Sequence, residues 1–351
     1  MKAIALGDFS VSLGQGLILW QGFAARKSAL ATLVSKNGRT LRPYSSVSEF
    51  DFFRGAGATI DFGKNLELTA FASIRRRDAN LKLPDEMPED PDFQENSAYL
   101  TSLQASGLHR TEAEIEDENA VRQTSFGGSL QLKKGRWHVG LNALSEHLSK
   151  PLQPSPEVYN RFYFAGNQLF NLSADYAFTH RNLYFFGETA RSQNGAIATL
   201  HGAIVSLDRK LDVALVHRHF PKNYQSLNPK PFAETAGARN ENGTYFGIAA
   251  QPAMSWRVNA YFDFWKHRWA TYKASSPSAG HEWLGRLTYE KRRKMEAYFQ
   301  IKTEVKGEDA DLETGIDLDH RVPPPALPVT PLALSCGRIP VKLLRDQARH
   351  G

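Results

Sequence analysis

The feature that most constrains the fold of this sequence is an alternation of apolar and polar residues that recurs along much of the chain. In residues 169–178, the apolar Phe170 and Leu172 alternate with Asn171 and Ser173. The same period of two recurs in three other runs, at 125–133, 256–264 and 295–304. Because successive side chains of a strand point to opposite faces, this period predicts strands with one apolar and one polar face. The fold class predicted from this pattern is all-β.

About twelve strands of roughly ten residues are predicted, with one or two more within residues 3–20. They lie near 53–62, 65–76, 124–133, 136–147, 168–179, 182–192, 196–207, 210–219, 243–251, 255–266, 281–290 and 294–305.

The connections between these strands sort by length. Tight polar turns occur at Gly63-Lys64-Asn65, Lys134-Gly135-Arg136, His180-Arg181-Asn182, Asp208-Arg209-Lys210, Pro252-Ala253-Met254-Ser255 and Arg292-Arg293. Most of the other connections are long and polar, at 77–123, 148–162, 220–243 and 271–280, with 193–195 as the short exception. Short turns at one end and long loops at the other are typical of outer-membrane barrels. We therefore predict an antiparallel transmembrane β-barrel of about 12–14 strands in the cell outer membrane, with the tight turns on the periplasmic side.

The composition is compatible with a barrel and excludes two other classes. The mean hydropathy is −0.44, and no run approaches the roughly 18 consecutive apolar residues of a membrane helix. Strands that alternate lipid-facing and lumen-facing side chains average to such a polar composition. The single Cys336 excludes an internal disulfide framework and leaves too few thiolates for a structural zinc site.

One long connection is strongly acidic. Residues 82–121 contain eleven Asp or Glu residues and only two Lys or Arg residues, in a chain of net charge +6. We expect residues 82–122 to form a long loop of the barrel (1–306) that contains a short helix. The loop either stays solvated or folds into the lumen as a plug against basic side chains. Residues 307–351, with a proline-rich run at 322–331, are expected to be irregular.

Polar residues on the face opposite the apolar one are candidates for the lumen. They are Arg54, Arg75, Asp175, Glu188, Asp263, Glu296 and Lys302. Charged residues in an open pore tune its selectivity, whereas in a closed barrel they form ion pairs. The sequence leaves both possibilities open.

A motif in the acidic loop is the main candidate for chemistry. It consists of Gly107, His109, Arg110, Thr111 and Glu114. Thr111 and Glu114 have the spacing of a capping box that opens a short helix, which accounts for them without catalysis. We therefore predict no catalytic residue, and His109 at a barrel rim remains the candidate of an alternative hydrolase hypothesis.

Other signatures of sites are weak. His217 and His219 share a strand face and could bind a metal, but without a third ligand nearby we interpret them as an exposed strand end. The glycines of Gly14-Gln15-Gly16 lack the strand–turn–helix setting of a nucleotide site, so strand bends or close backbone contacts explain them better. The sequence has no Gly-x-Ser-x-Gly elbow, Walker loop or His-Glu-x-x-His motif. We predict no enzyme, no cofactor and no metal.

Short motifs spread over about residues 3–305 occur in an order that resembles one family. They are Gly7-Asp8-Phe9, Gly14-Gln15-Gly16-Leu17, Leu19-Trp20, Gly22-Phe23, Lys27-Ser28, Pro43-Tyr44-Ser45-Ser46, Glu49, Phe53-Arg54-Gly55-Ala56, Ser102-Leu103-Gln104, Gly107-Leu108-His109-Arg110-Thr111, Glu114, Gly127-Gly128, Asn160-Arg161-Phe162, Phe186-Gly187-Glu188, Asn194-Gly195, Glu234, Asn240-Glu241-Asn242-Gly243 and Asp263. They resemble a group of Bacteroidota outer-membrane β-barrel proteins that are often named for a helix-hairpin-helix region before the barrel. The resemblance implies an outer-membrane location and a large barrel, and it implies no established reaction.

The resemblance also shapes the expected extent and partners of the chain. The export signal and the helix-hairpin-helix region would precede Met1, and the proline-rich end reads either as a truncated or frame-shifted barrel or as a disordered tail. The leading hypothesis is a non-enzymatic channel, transporter or assembly component. Its partners would be outer-membrane lipid and an unknown solute or protein, with no direct nucleic-acid contact. The alternatives are a membrane-embedded hydrolase, a DNA-uptake accessory and a soluble all-β binding domain.

Overall fold

Antiparallel strands make up most of the molecule. The computed structural model describes residues 1–24, 26–46, 51–82, 98–104, 110–291 and 295–309, and the backbone of 327–329 and 332–338. Strands account for 64% of the described residues and helices for 2%, and sixteen strands lie between Ala3 and Glu308. The all-β antiparallel fold predicted from the alternation is confirmed.

The strands are numbered in chain order. Their bounds are Ala3–Val11 (β1), Leu41–Pro43 (β2), Phe53–Phe62 (β3), Leu66–Arg77 (β4), Ala79–Lys82 (β5), Tyr99–Leu103 (β6), Val121–Lys134 (β7), Trp137–Leu152 (β8), Gly166–His180 (β9), Leu183–Ser192 (β10), Ile197–Asp208 (β11), Leu211–Phe220 (β12), Glu241–Ala253 (β13), Trp256–His267 (β14), Ser278–Lys291 (β15), Met295–Glu308 (β16), Leu327–Val329 (β17) and Leu332–Arg338 (β18). A single short α-helix, α1 (Glu112–Glu116), and a 3₁₀ turn at Val158–Asn160 complete the described elements.

The strands of full length form one continuous ladder. Its order is β1-β3-β4-β7-β8-β9-β10-β11-β12-β13-β14-β15-β16, and every pairing in it is antiparallel. Each of the twelve strands expected between 53 and 305 is present, and β1 adds one within 3–20. Five of the six tight turns connect neighbouring strands as expected, while the turn at Arg292-Arg293 lies outside the described residues.

Several strands are longer than the ten residues expected. β7 and β8 continue at the loop end of the sheet, where β8 pairs with β6 and β6 pairs with β5. Leu100 of β6 packs there in a small apolar cluster with Val121 and Leu148. This extension buries apolar side chains outside the main sheet, which explains why the strands continue past the predicted boundaries.

The two edge strands of the ladder, β1 and β16, are not paired with each other in the described residues. The ladder has thirteen strands that alternate in direction, so β1 and β16 run the same way. β18 pairs antiparallel with the second edge of β16, from Ala297–Arg338 to Thr303–Leu332. Among the described residues, no ladder connects β1 to β16 or β18. As far as it is described, the hydrogen-bonded sheet is therefore open between these edges.

Two segments without long strands cover one face of the sheet. We call residues 12–40 the N-terminal segment and residues 221–240 the 221–240 loop. Within the first, Leu13, Leu17 and Ile18 have no solvent exposure. The two segments also bond to each other, since Tyr224 Oη donates to the Leu17 carbonyl at 3.2 Å. We call the covered face of the sheet the inner face and the opposite one the outer face.

The acidic loop and the tail are described only in part. Residues 83–97, 105–109 and 310–326 lie outside the described residues, so the structure leaves the predicted plug role of 82–122 as a prediction. Two short strands, β17 and β18, lie in the region expected to be irregular. Pro328 falls in β17, whose ladder is with β16 alone, and an edge strand tolerates the missing N–H.

No helix in the part of the chain that the structure describes has the length and apolar character needed to cross a membrane.

Candidate functional site: the inner face of the sheet and its covering segments

The two faces of the sheet have opposite polarity, and the polar face is the buried one. On β9, Asn171, Ser173 and Asp175 point inward and are at most 6% exposed, whereas Phe170 and Leu172 point outward and are 41% and 46% exposed. Other outward side chains are also large and apolar: Ile60, Ile74, Phe126, Leu130, Leu141, Phe185, Leu215, Phe246, Phe262, Trp283, Leu287 and Phe299. A water-soluble sheet places its apolar face in the core and its polar face in water. This sheet does the reverse.

The N-terminal segment is docked on the inner face through Glu188 of β10. Glu188 is fully buried, and its Oε2 accepts hydrogen bonds from the backbone N–H groups of Gln15 at 2.7 Å and Leu17 at 3.0 Å. Gly14 has a positive φ of +51°, and a Cβ built on it would lie 2.6 Å from the Glu188 carboxyl carbon. Only glycine allows the backbone to approach the carboxylate this closely.

This contact gives a direct prediction. Gly14→Ala is expected to destabilise the folded chain by about 1–3 kcal/mol from the backbone conformation alone, and further because the new Cβ displaces the Glu188 carboxylate from its two donors. Gly63→Ala is the matched control, since Gly63 has a φ of +70° and a methyl group added there would meet nothing within 4 Å. Urea unfolding of both variants measures the difference. An equal loss in the two would show that the Glu188 contact contributes nothing.

An ionic network lies on the inner face across neighbouring strands. Arg218 of β12 has no solvent exposure; its Nη1 and Nη2 donate to both oxygens of Asp263 on β14, at 2.8 and 2.9 Å, and its Nε donates to Glu241 on β13. This bidentate geometry is the strongest that an arginine offers a carboxylate. Asp263 is directly opposite Glu282 of β15. Like charges in that position repel, so the arrangement requires a cation.

Lys27 of the N-terminal segment supplies that cation. Its Nζ lies 3.0 Å from Asp263 and 3.0 Å from Glu282, and it contacts Glu234 of the 221–240 loop. The Lys27 side chain is only 9% exposed. Burial lowers the pKa of Lys27, but the three carboxylates outweigh burial and raise it above its ordinary value. Burial raises the pKa of Glu234, while Lys27 and Lys306 outweigh that effect and hold it at about 2.

Three carboxylates of this network lie close enough to suggest a metal site, but lysines occupy it. The oxygens of Glu234, Glu282 and Glu304 are within 4.8 Å of one another. Each carboxylate contacts two of the same three ammonium groups, those of Lys27, Lys302 and Lys306. Carboxylates and ammonium groups therefore alternate around a ring, and each carboxylate has two lysine partners. We interpret this cluster as an ion-pair ring and not as a cation site.

A second polar cluster connects the 221–240 loop to the other half of the sheet. Asn228 donates to Glu146 of β8 at 3.0 Å and accepts from Arg77 of β4 at 3.3 Å. Gln123 of β7 donates to the same Glu146 oxygen at 2.8 Å. The covering segments therefore make polar contacts on the inner face with strands in both halves of the sheet.

Lys36 of the N-terminal segment is buried, and no described carboxylate forms a hydrogen bond or an ion pair with it. It is 7% exposed, its Nζ has no hydrogen-bond partner, and it lies 4.9 Å from the centre of the Trp20 ring. Burial, with a smaller contribution from Lys230 and Arg26, lowers the pKa of Lys36 to about 7. The folded state therefore releases this proton more readily than the unfolded chain.

The pH dependence of stability follows from that difference. Between about pH 7 and the ordinary lysine pKa of 10.5, the unfolded state binds more protons at this site, so the free energy of unfolding rises with pH. Lys36→Met is expected to stabilise the chain at pH 7 and to remove this part of the rise. Thermal unfolding from pH 6 to 11, with the exposed Lys64→Met as control, tests it. A variant curve parallel to that of the parent would contradict the prediction.

A cavity of about 440 Å³ lies at the long-loop end of the sheet. It is lined by residues of three connections, 153–165, the 221–240 loop and 268–277, together with the ends of β14–β16. Trp269 links all three connections: its indole N–H donates to the Val158 carbonyl at 2.9 Å, and its backbone N–H donates to Asn240 Oδ1 at 2.9 Å. The cavity therefore has walls built from distant parts of the sequence.

The structure places most of the lumen candidates on the inner face. Arg75, Asp175, Glu188 and Asp263 are buried there. Glu296 and Lys302 on β16 also face inward and are about one third exposed, at 34% and 35% of their side chains.

Arg54 lies on the outer face, which differs from its expected position. Phe53 points inward and packs against Phe9 and Phe71, with ring centroids 6.0 and 5.4 Å away. Because side chains alternate, Arg54 must then point outward, where its side chain is 62% exposed and donates to both oxygens of Asp8 at 2.7 and 3.0 Å.

The loop motif is confirmed as a capping box where it is described. Thr111 Oγ1 accepts from the Glu114 N–H at 3.2 Å, and Glu114 Oε2 accepts from the N–H groups of Thr111 at 3.2 Å and Arg110 at 2.7 Å. These bonds open α1 and confirm the predicted short helix. Gly107 and His109 lie outside the described residues.

Arg218 and Lys27, which organise the inner face, are not among the candidates predicted from the sequence. Arg218 was detectable, since it is in phase with the inward Ala214 and Val216 of the same strand. Lys27 gave no comparable signal, because it lies in a segment without strand periodicity. His217, considered above as a metal ligand, is exposed and bonds through Nδ1 to Thr244 at 3.0 Å.

Comparison with known proteins adds no relative. No protein-family model matches the chain, and no curated protein shows significant similarity to it.

Proposed function

We propose that this chain is the wall of an outer-membrane β-barrel whose interior is filled by its own N-terminal segment and 221–240 loop. The observation that carries the proposal is the inverted polarity of the sheet, with large apolar side chains exposed and charged side chains buried. A lipid environment favours this arrangement, because lipid-facing positions are apolar and lumen-facing positions are polar in membrane barrels. Large exposed apolar patches mark surfaces that contact lipid or another protein.

The strand directions support closure into a barrel. Single-chain bacterial barrels have an even number of antiparallel strands. The thirteen-strand ladder leaves two edges that run in the same direction, so one more antiparallel strand is needed between them. β18 has the direction that this position requires.

The covered inner face favours a closed barrel over an open porin. Leu17, Ile18 and Leu19 occupy the space next to the inner face and are fully buried, and Lys27 and Glu188 hold their segment to the strands. We therefore propose a plugged transporter or assembly component. Passage of a solute would require the N-terminal segment to move.

Three measurements on the full chain test this function. We expect recovery in the membrane fraction after a carbonate wash, heat-modifiable gel mobility, and no steady conductance in planar bilayers. Recovery as a soluble monomer without detergent would overturn membrane insertion. A large steady conductance of the unmodified chain would overturn the plug.

A further inference from the structure

The 440 Å³ cavity at the loop end is lined by both aromatic and charged side chains. Aromatic rings from different connections line it: Tyr159 and Tyr272 are 5.8 Å apart at 90°, and Trp269 packs against Phe162 behind the lining, 5.0 Å away at 80°. Its volume is within the range of small-molecule sites, which are mostly apolar with a few convergent polar groups.

Two cations at this cavity are stacked on the aromatic rings. Lys222 Nζ lies 4.3 Å from the centre of the Phe162 ring and 4.2 Å from that of Trp269. The Arg239 guanidinium lies 3.4 Å from the centre of the Tyr163 ring. Such cation–π contacts orient a cation and leave the donors at the edge of a guanidinium available for an anion.

The other charged groups that line the cavity are already paired. Glu234 contacts Lys27 and Lys306, and Glu308 lies 3.3 Å from Lys273. Within the described part of the chain, no carboxylate lies within 4.0 Å of Lys222 or Arg239. Burial lowers the pKa of Arg239, with Tyr163 opposing that effect. Among the described residues, no carboxylate therefore balances the positive charge of these two side chains.

From this geometry we infer that the loop-end cavity binds an anionic sugar, with its ring against the aromatic side chains and its charged group on Lys222 and Arg239. The charged group is a carboxylate or a phosphate, both of which a guanidinium recognises through paired N–H donors. This inference goes beyond the proposed barrel, since it concerns the loops and holds for the folded chain with or without a lipid bilayer.

The test measures binding to the purified full chain in a detergent that has no sugar headgroup. The probes are glucuronate and glucose 6-phosphate, with neutral glucose and inorganic phosphate as controls for the ring and the charge alone. We expect at least one charged sugar to bind at least tenfold more tightly than both controls, with a change in tryptophan fluorescence. Preference for glucuronate or for glucose 6-phosphate identifies the charged group. Failure of both charged sugars to exceed the controls would overturn the inference.

Variants locate the site. Lys222→Ala and Arg239→Ala are each expected to weaken the binding of the preferred sugar at least tenfold. Lys266→Ala is the matched control, because Lys266 also lies over an aromatic ring, Phe264 at 5.4 Å, but on the outer face away from the cavity. Heat-modifiable mobility and circular dichroism confirm that each variant is folded. Unchanged binding in folded Lys222→Ala and Arg239→Ala proteins would contradict the inference.

Discussion

Replacing Lys27 by methionine is expected to lower the free energy of unfolding by about 3–5 kcal/mol, the range measured when one partner of a buried ion pair is removed. The substitution keeps the length of the side chain and removes its charge. Asp263, Glu282 and Glu234 would then face one another without the ammonium group that now lies among them. Arg218 and Lys302 compensate only part of this charge, because each has a carboxylate partner of its own in addition.

Two further variants test whether the loss in Lys27→Met comes from the ionic network. Lys210→Met removes a lysine from an exposed tight turn and should change stability by no more than about 0.5 kcal/mol. Adding Glu282→Gln to Lys27→Met should recover part of the loss, since one of the uncompensated charges disappears. Urea unfolding in detergent micelles measures all four proteins. A Lys27→Met protein as stable as the parent would show that the N-terminal segment is not held by this network.

The second large effect is expected on the outer face. Phe262→Arg should lower the stability of the membrane-inserted chain by about 2–4 kcal/mol if this position is near the bilayer midplane. Phe262 lies in the middle of β14, points outward and is 47% exposed. In a soluble protein the same substitution at a half-exposed surface position would change stability by about 0.5 kcal/mol or less. The loss of stability caused by Phe262→Arg therefore distinguishes a lipid-facing position from a water-exposed one.

The experiment compares folding into lipid vesicles with and without the substitution. Met254→Arg is the matched control, because Met254 is 94% exposed in the turn between β13 and β14 and should tolerate a charge in either environment. We expect a reduced inserted fraction for Phe262→Arg and an unchanged one for Met254→Arg. Equal insertion of both variants would argue against a lipid-facing outer surface.

The strands were predictable because alternation and turn chemistry are local properties of the sequence. The bounds of β3 agree with the prediction, and those of the other eleven agree within a few residues. Positions such as Asp175 and Asp263 followed from the same alternation. Arg54 did not, because the inward direction of Phe53 depends on packing against Phe9, a residue 44 positions earlier in the chain.

The covering of the inner face depends on contacts between distant residues, which a local pattern does not contain. The sequence leaves two interpretations of Gly14, a strand bend or a close backbone contact, and the second is confirmed. Its partner Glu188 lies more than 170 residues away. For the same reason, the ion pairs of Lys27 with Asp263 and Glu282 could not be predicted from the sequence, although they hold the N-terminal segment to the sheet.

We expect the outer face to contact lipid, and spin-label accessibility measures this contact. In a Cys336→Ser background, single cysteines at the outward positions Leu172, Leu215 and Phe262 and at the turn position Met254 would carry a nitroxide in vesicles. The three outward labels are expected to relax faster with oxygen than with a water-soluble nickel complex, while the turn label is expected to show the opposite order. Outward labels that are as accessible to the nickel complex as the turn label would contradict it.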